Sequence, residues 1–206
     1  MKVTQIVELS KSRSKVYIEQ EFAFVLYKGE LRLYKIKEGE EIDEKDYQMI
    51  MKEVLPKRAK LRAMNLLKSR EYTTASLRAK LKQGLYPDEI IEEALAYVAS
   101  YHYTDDVRYA VGYMNCHEQD KSRKRIEQDL LKKGIDKKTL EEAWKQWEEQ
   151  GGEKDEQSMI AKLIEKKHYD VSTASMQEQQ RMYGFLMRKG FSSEQVIKAL
   201  RTEYME

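Results

Sequence analysis

Apolar and polar residues alternate along the N-terminal part of the chain. Five apolar residues stand at even positions there, namely Val16, Ile18, Phe22, Phe24 and Leu26. A period of two is typical of a strand that buries one face. Residues 3–9 are compatible with another strand, residues 27–30 with a turn, and residues 31–36 with either a last strand or a short helical turn. We therefore predict a small antiparallel β unit over residues 1–42.

The segment that follows, residues 43–56, has the pattern of a short connecting helix. Asp43 is a favourable N-cap, and apolar residues follow it at helical spacing. Pro56 has no amide hydrogen to donate, and its ring disfavours helical backbone angles at Leu55. We therefore predict that this helix ends or kinks at Pro56.

From residue 57 onward, one pattern occurs three times. An apolar residue, two polar residues, a glycine and a second apolar residue make up each copy: Leu81–Leu85, Leu131–Ile135 and Met187–Phe191. A glycine just after a helix adopts the left-handed conformation at little cost, and the apolar residue behind it covers the helix end. A helix with an apolar stripe follows each copy, so we predict three-helix repeats that stack on one another. The predicted repeats are residues 57–104, 105–152 and 153–206.

Polar residues mark where the predicted helices begin and end. The second helix of each repeat has a candidate N-cap: Thr73 or Thr74, Ser122, and Ser172 or Thr173. Ser192 and Gln195 have the spacing of a capping box for the last helix. Gly151 and Gly152 are the candidate hinge between the second and third repeats. The predicted fold is mainly α, an elongated array of tandem three-helix bundles that follows a small β unit.

The composition agrees with a helical protein and excludes several classes. The 206 residues are 41% hydrophobic and 36% charged with only two prolines, which favours helices over a sandwich or barrel. Cys116 is the single cysteine, so an internal disulfide is excluded. No stretch approaches the roughly 20 apolar residues of a membrane span, and the N-terminus lacks the apolar region of a secretory signal. We expect a cytoplasmic protein that does not bind a membrane.

Charge is distributed in blocks, although the net charge is only +2. Residues 57–83 hold nine basic residues and one acidic, whereas residues 84–120 hold one basic and eight acidic. Residues 121–138 hold eight basic and three acidic residues, and residues 139–157 hold two and seven. Such blocks either pair with one another in the folded state or form basic strips that attract phosphates and acidic protein surfaces.

No set of residues predicts catalysis or a cofactor site. None of the histidines lies in a metal-binding motif, and Cys116–His117 lacks a second ligand pair at zinc-site spacing. The glycines form neither a dinucleotide-binding nor a phosphate-binding loop. Trp144 and Trp147 share a helix face with apolar residues, and we favour core packing for them over a binding role. We expect a protein without enzymatic activity, cofactor or metal.

Basic residues are the candidate functional residues. Arg58 and Arg62 are four apart, as are Arg78 and Lys82, so each pair shares a helix face. A basic cluster also surrounds the start of the helix after Ser122, where free backbone donors favour anions. Such sites suit sequence-independent phosphate contacts and equally suit acidic patches on a protein. The candidate contact residues are Arg58, Arg62, Arg70, Arg78, Lys80, Lys82, Lys121, Arg123, Lys124, Arg125, Lys132 and Lys133.

Residues in the repeats resemble the bacterial RecX family. In the first repeat they are Arg62–Ala63, Leu66–Leu67, Arg70, Tyr72–Thr73, Leu77, Lys80–Leu81 and Gly84. At the boundary between the first two repeats they are Tyr103–Asp106, Ala110 and Tyr113, and in the second repeat they are Ile126, Leu130, Lys132–Ile135 and Ala143. The resemblance covers residues 57–206. Ser76 and Ser122 depart from it, since the family often has an acidic residue and a glycine at these places.

The resemblance implies a regulator of RecA, in DNA repair, recombination and the SOS response. Members of the family reduce RecA's ATP hydrolysis, strand exchange and repressor co-cleavage by capping or destabilising its filament. The implied partners are RecA and the RecA–single-stranded-DNA filament, with weak sequence-independent DNA binding, and we expect a monomer. Two alternatives stay open: a sequence-specific repressor built from helix-turn-helix-like units, and a helical scaffold whose basic blocks pair internally.

Overall fold

The computed structural model describes residues 1–201, and side chains as far as residue 200. A small sheet is followed by helices, so the prediction of a mainly helical chain with an N-terminal β unit is confirmed. The described chain forms two compact units, Met1–Asp105 and a second that begins at Asp106. Residues 202–206, the end of the predicted third repeat, lie outside the described residues. The predicted repeat boundaries stay predictions.

The N-terminal sheet is antiparallel, with its strands in sequence order: β1 (Val3–Ser10), β2 (Arg13–Ile18) and β3 (Glu21–Tyr27). Four of the five alternating apolar residues are buried, namely Val16, Ile18, Phe24 and Leu26. Phe22 is 40% exposed because the pairing shifts between Val16 and Tyr17, so that Phe22 pairs with Tyr17 instead of following Phe24 inward. A β-bulge thus breaks the predicted alternation at one position.

The chain leaves the sheet through a short helix, α1 (Lys28–Leu33). This decides between the two alternatives for residues 31–36, in favour of a helical turn. The carboxylate of Glu30 accepts a hydrogen bond from the amide of Tyr27 at 2.7 Å, which stabilises the first turn of α1.

The connecting helix begins where the sequence predicted. Asp43 caps α2 (Glu44–Met49), and its carboxylate accepts a hydrogen bond from the amide of Lys45 at 2.7 Å. A π-helical segment, Ile50–Val54, follows α2 and leads directly into α3 (Leu55–Leu67).

The helix does not end at Pro56, and the prediction that the proline disfavours helical angles at Leu55 was wrong; a kink there stays a prediction. Leu55 keeps helical angles, with φ −69° and ψ −44°, and its amide donates to the carbonyl of Ile50, five residues back. The wider π-helical turn precedes the proline, so Pro56 stands in the first turn of α3, where a missing amide donor is tolerated. The helical backbone therefore runs through the proline.

In the part of the chain that the structure describes, each predicted repeat contains three helices, although α3 begins at Leu55, two residues before the first repeat. The first repeat contains α3, α4 (Thr74–Gln83) and α5 (Asp88–Ser100). The second contains α6 (Asp106–Cys116), α7 (Arg123–Lys132) and α8 (Lys137–Glu149). The third contains α9 (Glu156–Lys166), α10 (Met176–Arg188) and α11 (Ser193–Arg201).

The predicted N-caps are confirmed in the first two repeats and wrong in the third. Thr73 caps α4 and Ser122 caps α7, each through its side-chain oxygen. Ser175, rather than Ser172 or Thr173, caps α10. Ser172 donates its hydroxyl to Asp170 at 2.6 Å, so it belongs to the preceding turn. The predicted capping box at the last helix is confirmed, since the amide of Gln195 donates to the Ser192 hydroxyl at 3.2 Å.

The glycine pattern folds in two ways. Gly134 and Gly190 take the left-handed conformation, with φ of +83° and +94°, as predicted. Gly84 does not, because the left-handed residue there is Leu85, with φ +62°. Gly84 instead leaves room for a ring, since a Cβ on it would lie 2.8 Å from the side chain of Tyr86.

Apolar packing differs between the two units. In the first unit one core joins the sheet, the connecting helix and α3–α5, and it includes Phe24, Ile50 and Leu77. In the second unit α6–α8 and α9–α11 each have a core of their own. Trp144 and Trp147 are buried in the first of these, which confirms their predicted core packing.

The glycine pair after α8 is also packed. Gly151 takes φ +90° in open space, whereas a Cβ on Gly152 would lie 2.3 Å from the indole of Trp147. The hinge proposed at this pair stays a prediction.

Candidate functional site

The side chain of Arg58, the first candidate contact residue, packs against the sheet and α1 of its own unit. Its guanidinium donates to the carboxylate of Glu30 and to the carbonyl of Val25, the latter at 3.1 Å, and lies 4.7 Å from the ring centre of Tyr27. Only 19% of its side chain is exposed. Arg58 therefore ties α3 to the sheet, and we no longer place it on a contact surface.

Ion pairs also join α4 to α5. Arg78 makes two hydrogen bonds to the carboxylate of Glu92, at 2.7 and 2.8 Å. These bonds hold the pKa of Glu92 below its usual range. Lys82 lies 3.1 Å from Asp88. The acidic block thus neutralises part of the basic block that precedes it in sequence.

Of the other three candidates of the first unit, one is exposed, one lies over an aromatic ring and one bonds to a glutamine. Arg62 is exposed on α3. Arg70 lies over the ring of Tyr72, with its guanidinium carbon 4.6 Å from the ring centre. Lys80, half-buried, donates to the side-chain oxygen of Gln83 at 3.3 Å.

In the second unit, Lys121 is held in a polar network. Its ammonium donates to the hydroxyl of Tyr113 at 2.7 Å and to the carboxylate of Asp129 at 3.1 Å, while Arg125 approaches Asp129 to 3.5 Å. Burial alone would destabilise the charged forms. The hydrogen bonds outweigh it, so the pKa of Lys121 is raised and the pKa of Asp129 is lowered.

The start of α7 already holds an anion from its own chain. The amide of Arg123 donates to the carboxylate of Glu156 at 2.6 Å. The Arg123 guanidinium pairs with Glu148 at 3.2 Å and lies 4.4 Å from the ring centre of Trp144. The prediction of free backbone donors was therefore wrong at this position, because a distant carboxylate occupies the first amide.

Three lysines complete the candidate set. Lys124 and Lys132 are exposed, and within the described residues neither makes an ion pair. Lys133 lies over the rings of Tyr109 and Tyr113, at 5.9 and 5.6 Å from their centres. At least half of the twelve candidates are therefore paired within the chain. Six pair with carboxylates of the chain: Arg58, Arg78, Lys82, Lys121, Arg123 and Arg125.

Basic residues of the third repeat were missed. Arg188 and Lys189 are exposed and line a cavity together with Lys121 and Arg125. A signal was present in the sequence, because Arg188 and Lys189 occupy the same two polar positions of the repeated pattern as Lys132–Lys133.

Cys116 and His117, the remaining candidates, do not belong to a metal site among the described residues. Cys116 is exposed at the end of α6, and His117 pairs with Asp120 at 3.0 Å. Residues 1–200 contain no group of three or more His, Cys, Asp or Glu side chains that could hold a metal ion. No helix in the same part of the chain is long and apolar enough to cross a membrane.

Sequence comparisons identify relatives along almost the whole chain. The family described as "RecX, first three-helix domain" matches residues 59–97, and "RecX, third three-helix domain" matches residues 154–200. The regulatory protein RecX of Caldanaerobacter subterraneus subsp. tengcongensis is 32% identical over 97% of this chain and 98% of its own length. The regulatory protein RecX of Clostridium acetobutylicum is 24% identical over 95% and 92%.

Solved structures show the same fold. A crystal structure of a regulatory protein RecX aligns with a TM-score of 0.61 and 24% identity, over 98% of this chain and 99% of the other. The crystal structure of RecX from Lactobacillus salivarius aligns with a TM-score of 0.56 and 22% identity, over 72% and 96%.

Proposed function

Because this chain belongs to the RecX family, we propose that it is a regulator that binds RecA and the RecA–DNA filament. Binding would inhibit the ATPase, strand-exchange and co-protease activities of RecA. The observation that carries this proposal is the 32% identity to a regulatory protein RecX along 97% of the chain. The chain acts by contact rather than by chemistry, as a monomer in the cytoplasm.

The contact surface in this proposal is the solvent-facing part of the basic set. A charge that is already paired within the fold adds little to an external contact, because the internal pair must first be broken. An exposed cation that makes no internal ion pair has no such pair to break on binding. It can contact either DNA phosphates or acidic protein surfaces. We therefore assign the contacts to Arg62, Arg70, Lys124 and Lys132, which are exposed.

A sequence-specific repressor is the rival function, and the charge of α5 argues against it. In a helix-turn-helix unit, the helix after the turn enters the major groove. That helix in the first repeat is α5, which carries Asp88, Glu89, Glu92 and Glu93 and no basic residue. Phosphates on both sides of the groove would repel it.

The test is RecA ATP hydrolysis on single-stranded DNA, with this protein added below the RecA concentration. The wild-type chain should inhibit hydrolysis. The triple variant Arg62→Glu, Lys124→Glu, Lys132→Glu should lose most of the inhibition, because three attractive contacts become repulsive.

A matched variant controls for net charge. Lys11→Glu, Lys45→Glu, Lys145→Glu makes the same charge change at exposed lysines outside the assigned surface, and it should inhibit like the wild type. Full inhibition by the first triple variant at physiological salt would remove the surface assignment. A preferred duplex site combined with no effect on RecA would favour the repressor.

A further inference from the structure

A cavity of about 460 Å³ lies within the second unit, where the C-terminal end of α10 meets the N-terminal end of α7. Its lining has four basic residues, one carboxylate and one aromatic ring: Lys121, Arg125, Arg188, Lys189, Asp120 and Phe185. This excess of positive charge sits in a concave space of a size typical of ligand sites.

Contacts between the second and third repeats hold the cavity in shape. The hydroxyl of Ser122 caps α7 and also donates to the carbonyl of Lys189 at 3.0 Å. Gly190 makes this approach possible, because a Cβ on it would lie 2.5 Å from the Ser122 oxygen. Arg188 and Lys189 are therefore fixed beside the first turn of α7, which contains Arg125.

The cations of the cavity are only partly neutralised. Lys121 pairs with Asp129, and Arg125 reaches the same carboxylate at 3.5 Å. In the part of the chain that the structure describes, neither Arg188 nor Lys189 makes an ion pair. Like charges that line one cavity repel one another, so an anion that enters the cavity relieves the repulsion.

The ring of Phe185 adds a second recognition element. It is half-buried, and the ammonium groups of Lys189 and Lys167 lie 5.7 and 5.3 Å from its centre. Basic side chains beside an aromatic face are the combination by which proteins hold single-stranded nucleic acids, with phosphates on the cations and a base on the ring.

We propose that this cavity binds a backbone phosphate of single-stranded DNA, with Arg188 and Lys189 on the phosphate and a base against Phe185. A guanidinium donates two parallel hydrogen bonds to a phosphate, which makes Arg188 the principal contact. The inference deepens the proposed function, because it assigns a DNA contact to the third repeat.

A neighbouring cavity is a weaker candidate for the phosphate. It shares Phe185 and has a volume of about 430 Å³, with Lys167 and Arg181 in its wall. Asp170 and Glu178 line it as well, so its cations have carboxylates nearby. We place the phosphate on the Arg188 side of the ring for this reason.

The test measures binding of a fluorescent oligothymidylate of about 20 nucleotides to the full-length chain by anisotropy, without RecA. The variant Arg188→Gln, Lys189→Gln should bind about tenfold more weakly, since charged hydrogen bonds to phosphate are lost. The dependence of log Kd on log salt should flatten by about 0.7 for each phosphate contact removed.

The matched control is Lys138→Gln, Lys145→Gln, which removes two exposed positive charges from α8, away from the cavity. It should bind within about twofold of the wild type, because weak long-range charge effects are screened by salt. Equal affinities of the two double variants would overturn the proposal. Circular dichroism melting of each variant confirms that it is folded.

Three competitors identify the source of the anion. Displacement by unlabelled oligothymidylate but not by equimolar ATP supports a polymer phosphate. Equal displacement by ATP would replace the DNA assignment with a free nucleotide, and equal displacement by polyglutamate would replace it with an acidic protein segment. Since no arm contains RecA, a chain that binds DNA here but leaves RecA unaffected would refute the proposed function and keep this site.

Discussion

The two units hold their secondary structure together by different means. The first unit has one apolar core, in which strand residues such as Phe24 pack with helix residues such as Leu77 and Ile91. The second unit has two apolar cores, one around Trp147 and one around Leu186. An apolar core excludes water and ions, whereas a polar junction leaves room for them. The contrast explains why a basic cavity occurs in the second unit, between its two cores.

Four hydrogen bonds contribute to the junction in the described part of the second unit. Ser122 donates to the carbonyl of Lys189, the amide of Arg123 donates to Glu156, and the ammonium of Lys154 donates to the carbonyls of His117 and Glu118. Burial lowers the pKa of Lys154, and its position beyond the end of α6 places a cation at the negative end of a helix. The junction therefore depends on directional contacts that single substitutions can remove.

Removing the ring of Phe24 should have the largest effect. Phe24→Ala leaves a cavity in the shared core and should lower the free energy of unfolding of the first unit by about 3–5 kcal/mol. Urea unfolding with amide exchange would show β1–β3 and α3–α5 losing protection together, because they share that core. Phe22→Ala, at an exposed position of the same strand, is the control and should cost much less. Independent opening of the sheet would contradict a single core.

Truncating Leu186 should have a comparable but local effect. Leu186→Ala should lower the stability of the third repeat by about 2–5 kcal/mol, since this side chain is fully buried in that core. Amide exchange should rise in α9–α11, while α6–α8 keep their protection. Met176→Ala, at a 77% exposed position, is the control. Equal loss of protection in both repeats would show that the second unit has one cooperative core after all.

Gly190→Ala isolates the junction itself. The substitution strains a left-handed residue by about 1–2 kcal/mol and also drives a Cβ against the Ser122 hydroxyl. Gly151→Ala is a matched control, since it imposes the same backbone strain in open space. Thermal unfolding should show a larger fall in Tm for Gly190→Ala. Equal falls would mean that the contact with Ser122 adds nothing.

Lowering the pH should reduce the stability of the second repeat. This effect on stability should be the smallest of the four. The pKa of Asp129 is lowered by its hydrogen bonds from Lys121 and Tyr113, which outweigh its burial. A carboxylate with a lowered pKa contributes stability above its unfolded pKa of about 4, and that contribution is lost as pH falls through the lower folded value. Asp129→Asn should reduce the acid sensitivity of unfolding between about pH 5 and pH 2, compared with the surface control Glu141→Gln. Identical pH profiles would contradict this role.

The sequence predicted the features that depend on neighbouring residues. The caps Thr73 and Ser122, the alternation at Val16 and Ile18, and the left-handed Gly134 all follow from local chemistry. The apolar spacing of Trp144 and Trp147 was likewise enough to predict their burial.

Features that depend on distant partners could not be predicted. Arg58 pairs with Glu30 and Arg78 pairs with Glu92. The partners in each pair are far apart in sequence, and only the folded chain brings them together. The bulge that exposes Phe22 depends on the register with β2. Of the candidate site, the exposed lysines could be predicted from the charge pattern, but the pairing of Arg58, Arg78 and Arg123 with distant carboxylates could not.

The π-helical segment Ile50–Val54 sets which face of α3 meets the core. Successive residues of an α-helix differ in direction by about 100°, so a change of one residue in this segment would rotate everything after it by that angle. Deleting a residue there would turn Ala59 and Ala63, both fully buried, away from the interior and bring the bulkier residues that follow them, Lys60 and Met64, into their places. The number of residues between α2 and Pro56 therefore determines which side chains of α3 face the core. Insertions or deletions in this segment should be tolerated far less well than substitutions.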